Sequence, residues 1–272
     1  AVGDPDKRVD GRGLNKAKAA GIIVDVGVEA VDARAVLDGF LSRIKYGRPL
    51  VWLKTATSLD GAIALADGQK RWLTSHPMRH WVHELRSRCD ALLTGVGTVL
   101  ADDPLFTCRK PSKTSDSPSL YILDSRLRTP ASSRLFGDRQ REITILCNAS
   151  ASQERRQLLV QAGARVSALP TNNEGKVNLL ATLEYLGTCG INRILVEAGT
   201  ALTTAFLDKG LVDKIYWTQS SHILGSDARP AIGDLKLVAL PSQNLYTQQE
   251  YSIIGQDHLR VFVKNTSAVR KE

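Results

Sequence analysis

Lys54 stands inside PLVWLKTAT, a run that otherwise reads as a buried strand. An ammonium group there must be paired, exposed at an edge or directed at an anionic ligand, because an unpaired buried charge is costly. A second candidate is the junction where the strand-like run RILVEAG passes through Gly199-Thr200-Ala201-Leu202 into a helical pattern. Backbone N–H groups and the positive end of the helix dipole at such a turn can cradle phosphate without any side chain. Glu197, at the end of that strand, lies where α/β sheets present polar groups to a ligand crevice. Neither G-x-G-x-x-G nor G-x-x-x-x-G-K-S/T occurs, so no standard dinucleotide fingerprint or P-loop is indicated, and a plain strand-helix turn is the competing reading.

Further candidates flank these. In ALLTGVGTVLADDPLFTCR, Gly95 and Gly97 permit close backbone approach, Thr98 can cap a short helical turn, and Asp102-Asp103-Pro104 reads as its end. Consecutive carboxylates diverge, so a turn is preferred to a metal pair. Arg86 and Arg109 bracket the segment and could hold a phosphate ester through bidentate hydrogen bonds, with surface solvation the alternative for each. Ser58-Leu59-Asp60-Gly61 and Asp67-Gly68 read as turns before a cap at Thr74-Ser75. His76, His80 and His83 share one helical face at a spacing that can bind zinc, opposite Met78, Trp81, Val82, Leu85 and Cys89. No H-E-x-x-H order is present, so these histidines are expected on a solvated face and no metal is expected.

The elements that must position these residues follow from periodicity. LNKAKAAG reads as a short helix, IIVDVGV as a β-like run, and residues 29–45 as an amphipathic helix with Val36, Leu37, Phe40, Leu41 and Ile44 on its apolar stripe. Tyr46-Gly47-Arg48-Pro49 stops it. From Pro49 onward strands alternate with helices: SLYILD, EITILC, RILVEAG and DKIYWTQ are strand-like, and residues 77–88, 151–161, 178–189 and 202–209 helical. LYTQQEYSIIG and HLRVFVK have no helix between them, which predicts a closing antiparallel pair and a mixed sheet. Residues 110–118 read as a surface loop.

The 272 residues, 43% apolar and 24% charged, are ordinary globular composition. No apolar run of about 18 residues occurs, so no membrane span is expected. The polar start AVGDPDKRVDGRG lacks a signal core, and the four cysteines form no C-x-x-C pair, so a reducing, cytoplasmic setting is expected. The net charge of +8 favours anionic partners. Basic residues are dispersed and only 6% of residues are aromatic, which makes a nucleic-acid surface the weaker option.

Read in order, LKTATSLDG, RWLTS, TGVGTVLADDPLFTCR, ILDSRLRTP and ILVEAG resemble the reductase domain of the bifunctional riboflavin-biosynthesis family RibD. The resemblance runs from Arg48 to the C-terminus. It implies an α/β, dihydrofolate-reductase-like three-layer fold with a mixed, mostly parallel sheet over residues 48–272. Residues 1–47 resemble the end of the family's cytidine-deaminase-like domain. The zinc motifs of that domain, H-x-E and P-C-x-x-C, are absent, so this chain is not expected to deaminate, and zinc belongs only to the part of the family pattern missing here.

The implied reaction is NADPH-dependent reduction of 5-amino-6-(5-phosphoribosylamino)uracil to its ribitylamino counterpart. The resemblance implies that Ala56, Trp72, Thr98, Asp102, Ser125, Gly199, Thr200, Ala201, Leu202, Thr203, Thr204 and Ala205 line the NADPH site. Lys70, Arg86, Phe106, Arg109 and Glu197 would meet the substrate, and Lys54 would orient the sugar or assist proton transfer. Relatives commonly place Ser where Lys70 stands, and read V-E-G-G-P-T-L where this chain has VEAGTAL. A homodimer or higher homo-oligomer is expected, and a pteridine or dihydrofolate-like reductase is the alternative on this scaffold.

Overall fold

The computed structural model describes residues 3–6, 8–9, 11–67, 72–108, 117–137, 141–239 and 244–265. The chain divides into two units, Ala1–Leu50 with Leu183–Arg193, and Val51–Thr182 with Ile194–Glu272.

In the first unit α1 (Arg12–Ala19) and α2 (Ala30–Tyr46) are the helices that the patterns predict. The residues between them differ from expectation. Ile22, Ile23, Val26 and Val28 form no strand and are exposed, because no described strand of this unit offers them a ladder of hydrogen bonds. The stripe on α2 holds in part: Phe40, Leu41 and Ile44 are half-buried, but Val36 is 77% exposed and Leu37 is exposed, whereas Gly39 and Ser42 are buried. That face packs by closeness instead of apolar bulk. A Cβ on Gly39 would lie 2.7 Å from the Asn192 carbonyl oxygen, Arg43 Nε donates to Asn192 Oδ1 at 2.7 Å, and Asp38 pairs with Arg193. Gly47 ends α2 with φ 68°, the left-handed conformation that glycine adopts without steric cost.

Gly187, buried in this unit, would push a Cβ to 2.1 Å from the Gly47 carbonyl oxygen. Gly187→Ala is therefore expected to cost about 1–3 kcal/mol through overpacking. Urea denaturation measures this, and an unchanged midpoint would contradict the close contact.

The second unit is built on β1 (Leu50–Thr57), β2 (Ala62–Ala64), α3 (His76–Arg86), β3 (Ala91–Gly95), α4 (Val96–Asp102), β4 (Ser119–Leu123), β5 (Ile143–Cys147), α5 (Gln153–Gln161) and β6 (Arg165–Ala168). It continues through α6 (Leu179–Thr188), within which the division between the units falls. The remaining elements are β7 (Arg193–Glu197), α7 (Thr200–Asp208), β8 (Lys214–Gln219), β9 (Arg229–Pro230), β10 (Tyr246–Ile254) and β11 (Asp257–Lys264).

Among the described residues the main sheet has the order β10-β11-β8-β1-β7-β3-β4-β5-β6. β1 and β8 are parallel, as are the pairs from β7 through β3, β4 and β5 to β6, while β11 runs antiparallel to β8 and to β10. The sheet is thus mixed and mostly parallel, with the closing hairpin at one edge as expected. Leu53, Leu92, Leu93, Ile122, Ile145 and Phe206 are almost fully buried and make its core. β3, β6 and β9 have no counterpart in the sequence reading: β3 is a mostly buried run of five residues, β6 is short, with exposed ends and half-buried middle residues, and β9 has two residues.

The order brings strands distant in sequence side by side. β1, β7 and β3 are neighbours, so the Lys54 end of β1, Glu197 at the end of β7 and Gly95 at the end of β3 converge. Crevices outside the carboxyl ends of strands are the usual ligand sites of α/β sheets.

Candidate active site

Lys54 faces that crevice because β1 alternates there. Leu53 and Thr55 are buried, while Lys54 and Ala56 are partly open and line a cavity of about 1000 Å³. Among the described residues the Lys54 ammonium makes no hydrogen bond or ion pair. Burial lowers its pKa below the usual lysine value; Glu197 opposes that shift and Arg86 adds to it.

Glu197 and Arg86 form a bidentate pair, Nε to Oε1 at 2.6 Å and Nη2 to Oε2 at 3.0 Å, with side chains only 11% and 14% exposed. Burial alone would raise the Glu197 carboxyl, but Arg86 overrides it through charge and hydrogen bonds, aided by Lys54 and His83, and the carboxyl stays ionised well below its ordinary range. Burial likewise disfavours the Arg86 charge, and Glu197 more than restores it. A buried ion pair is weak evidence of stability, since desolvation roughly cancels attraction. A buried arginine–glutamate pair beside a half-buried lysine at a cleft is better explained by function.

The glycine turn is built as the sequence suggests. Gly199 is the N-cap of α7, and its N–H donates to Thr98 Oγ1 at 3.2 Å, which ties α4 to α7. That amide is therefore already used. The N–H groups of Thr200, Ala201 and Leu202, the first three of a helix, have no carbonyl within α7 to bond and are the donors left for an anion. Asp103 caps α4 in the left-handed conformation, φ 38°, and accepts from Ser133 Oγ and from Arg134 N at 3.0 Å, so the Asp102-Asp103 pair is a turn. Asp60 accepts from Ser58 Oγ at 2.5 Å and from the amides of Leu224 and Gly225 at 3.0 and 2.8 Å, making Ser58–Gly61 a strap to residues 224–225.

The cavity is lined by Lys54, Ala56, Trp72, Arg86, Thr98, Asp102, Phe106 and Glu197, and by Gly199, Thr200, Ala201 and Leu202, all anticipated from sequence. It is not lined by Thr203, Thr204 or Ala205. Thr203 donates to the Ala198 carbonyl, and Thr204 donates to the Thr200 carbonyl while accepting from Gly233 N. Ser125 lies in a separate depression with Arg126, Asn148, Ser150, Ala151, Ser152 and Gly175, and its Oγ accepts from Val177 N at 3.0 Å. Lys70, Arg109 and residues 110–116 of the expected loop lie outside the described residues.

One expectation is corrected. His76, His80 and His83 do not stand on a purely solvated face; they line the cavity with Arg79, Val82 and Arg86, while Met78 and Leu85 face the core. Periodicity separates the core face of α3 from its other face, but it cannot say whether that other face meets water or a cleft. Among the described residues no group of three His, Cys, Asp or Glu could hold a metal ion. Sequence reasoning also missed Arg134 and Arg229, which line the cavity from segments far from the motifs. Arg229 is brought there because β9 pairs with β2 and the Pro230 carbonyl accepts from Thr200 Oγ1 at 2.5 Å. No helix of the described residues is long and apolar enough to cross a membrane.

A mixed, mostly parallel α/β sheet carries a cleft at its strand ends that is lined by Lys54, Arg79, Arg86, Arg134 and Arg229. The family described as RibD C-terminal domain matches residues 49–257, and the chain belongs to it. It is 36% identical over 236 residues to the riboflavin biosynthesis protein RibD of Escherichia coli, covering 83% of this chain and 63% of that protein. The solved structure of Acinetobacter baumannii RibD superposes with a TM-score of 0.86 at 28% identity, over 98% of this chain and 72% of that one. The Thermotoga maritima diaminohydroxyphosphoribosylaminopyrimidine deaminase/5-amino-6-(5-phosphoribosylamino)uracil reductase superposes with a TM-score of 0.80 at 25% identity, over 97% and 70%. The chain thus spans a little under two thirds of the Escherichia coli protein and about seven tenths of the two solved chains.

Proposed function

We propose that this chain binds NADPH beside a phosphorylated ribosylaminopyrimidine and reduces the sugar's first carbon, converting 5-amino-6-(5-phosphoribosylamino)uracil to 5-amino-6-(5-phosphoribitylamino)uracil. The observation that carries the reading is Lys54, a half-buried lysine without a hydrogen-bonding partner among the described residues, on the wall of a cavity in which Arg86 and Glu197 are already paired with each other. The Thermotoga maritima relative is named for this reduction, which supports the choice of substrate.

The residues present fit the cofactor. A cavity of about 1000 Å³ is at the upper end of the roughly 300–1,000 Å³ usual for ligand sites, which gives room for a dinucleotide and a sugar together. The amides of Thr200, Ala201 and Leu202 would hold its diphosphate, with Arg229, Thr98 and Asp102 lining the same cavity. When bound there, the nicotinamide supplies the hydride.

The protein's own part is proton and charge control. As the sugar's first carbon gains hydride, its bond to the ring oxygen breaks and that oxygen needs a proton, which Lys54 is positioned to hold. The lowered Lys54 pKa makes its proton easier to release. Glu197, kept ionised by Arg86, orients the sugar hydroxyls, and the remaining Arg86 donors with the cationic face of α3 balance the phosphate. We propose this reduction alone for residues 48–272, with residues 1–47 as the tail of a cytidine-deaminase-like domain.

Folded protein mixed with freshly generated substrate is expected to consume NADPH, read as loss of reduced-nicotinamide absorbance, with the ribitylamino product in equal amount. Absence of turnover by folded protein would overturn the assignment.

A further inference from the structure

The segment Pro104–Cys108 crosses the cleft wall without regular secondary structure. It is nevertheless held at three consecutive carbonyls. Arg141 Nη1 donates to the Leu105 and Phe106 oxygens at 2.9 and 3.0 Å, and the Thr107 oxygen receives two donors at once, Arg86 Nη1 at 3.0 Å and His83 Nδ1 at 2.8 Å. A carbonyl can only accept, so the hydrogen in the second contact is on Nδ1. Phe106 takes φ 51°, uncommon for a bulky residue, and places its ring with the Arg86 guanidinium 5.6 Å from the centroid.

This arrangement determines where Arg86 sits. Of its five N–H groups, two go to Glu197 and one to the Thr107 oxygen, so the orientation of the guanidinium depends on the position of that oxygen. Arg86 alone would leave the oxygen anchored from one side. His83, one turn earlier on α3, occupies its second lone pair and fixes it relative to the helix.

We infer that His83 is a positioning residue that orients the Arg86–Glu197 pair toward substrate by donating its Nδ1 hydrogen to the Thr107 carbonyl. The inference rests on the reading of the cleft as the reductase site. It requires a donor at Nδ1 and assigns no proton transfer to Nε2.

Substitutions that keep or remove that donor test it. The asparagine side-chain nitrogen can take the place of imidazole Nδ1, whereas the glutamine nitrogen corresponds to Nε2. His83→Asn is expected to retain turnover close to the parent. His83→Gln and His83→Ala are expected to raise the KM for the phosphorylated substrate about tenfold, the size of one lost hydrogen bond to a charged network, with NADPH affinity unchanged. Retention by Gln but not by Asn, or no change in any variant, would overturn the inference, as would equal loss of substrate and NADPH binding.

Two spectroscopic readouts stand apart from turnover. Imidazole nitrogen NMR of the unmodified protein is expected to find the Nδ1–H form for His83. The Arg86 Nε–H resonance, shifted by its contact with Glu197, is expected to persist in His83→Asn and to move in His83→Ala. An unprotonated Nδ1, or an Arg86 resonance indifferent to all variants, overturns the inference even if the protein proves to reduce a different substrate. Correct spectra without turnover by the unmodified chain would instead count against the assigned reaction.

Discussion

Lys54→Met is expected to remove turnover by about 10²–10⁴-fold, the usual contribution of a positioned proton donor, while leaving the folded protein more stable at neutral pH. The two effects point in opposite directions because burial disfavours the Lys54 charge. In the unfolded chain the ammonium is fully hydrated, so below the ordinary lysine pKa of 10.5 the unfolded state binds the proton more tightly than the folded state does. Stability should therefore rise as pH increases from the lowered Lys54 pKa toward 10.5, and Lys54→Met should abolish that slope. Chemical denaturation at several pH values, with NADPH consumption on the same samples, measures both effects. A variant that lost stability along with activity would make Lys54 a structural residue.

Arg86→Met is expected to cost about 3–5 kcal/mol, because it leaves the Glu197 carboxylate buried without its partner. Arg86→Met combined with Glu197→Gln should recover part of this loss, since the isolated charge disappears, yet neither variant should reduce substrate. The pH dependence has a definite sign. The Glu197 pKa lies below its ordinary value of 4.5, so the stability it contributes is fully present above 4.5 and is lost as pH falls toward the lowered folded value. Glu197→Gln should flatten that acid limb. Denaturant midpoints below and above pH 4.5 check this, and an acid limb unchanged in Glu197→Gln would show that other carboxylates produce it.

Much of the site was legible before the fold was known, for reasons that can be named. Lys54 breaks an apolar strand, Glu197 ends one, and Gly199 opens a helix; each is a local anomaly, and one cavity contains all three. The antiparallel pair β10 and β11 was legible because two β-rich runs had no helix between them. What failed was information that a chain-local pattern does not contain. The apolar run from Ile22 to Val28 has strand character but pairs with no strand among the described residues, and Gly39 packs closely against Asn192 while Val36 is exposed. His83 and Arg229 belong to the cleft only because β1, β7 and β3 are adjacent and β9 returns to β2. Ser125 ends a comparable strand, yet β4 is one place further along the sheet and its end opens into another depression.

The most direct test is a crystal structure of the chain with NADPH and ribose 5-phosphate bound together. The account predicts the cofactor diphosphate on the amides of Thr200, Ala201 and Leu202, with the sugar's first carbon between the nicotinamide and Lys54 and its phosphate toward α3. A dinucleotide bound outside this cavity, or a sugar whose first carbon faces away from β1, would contradict it.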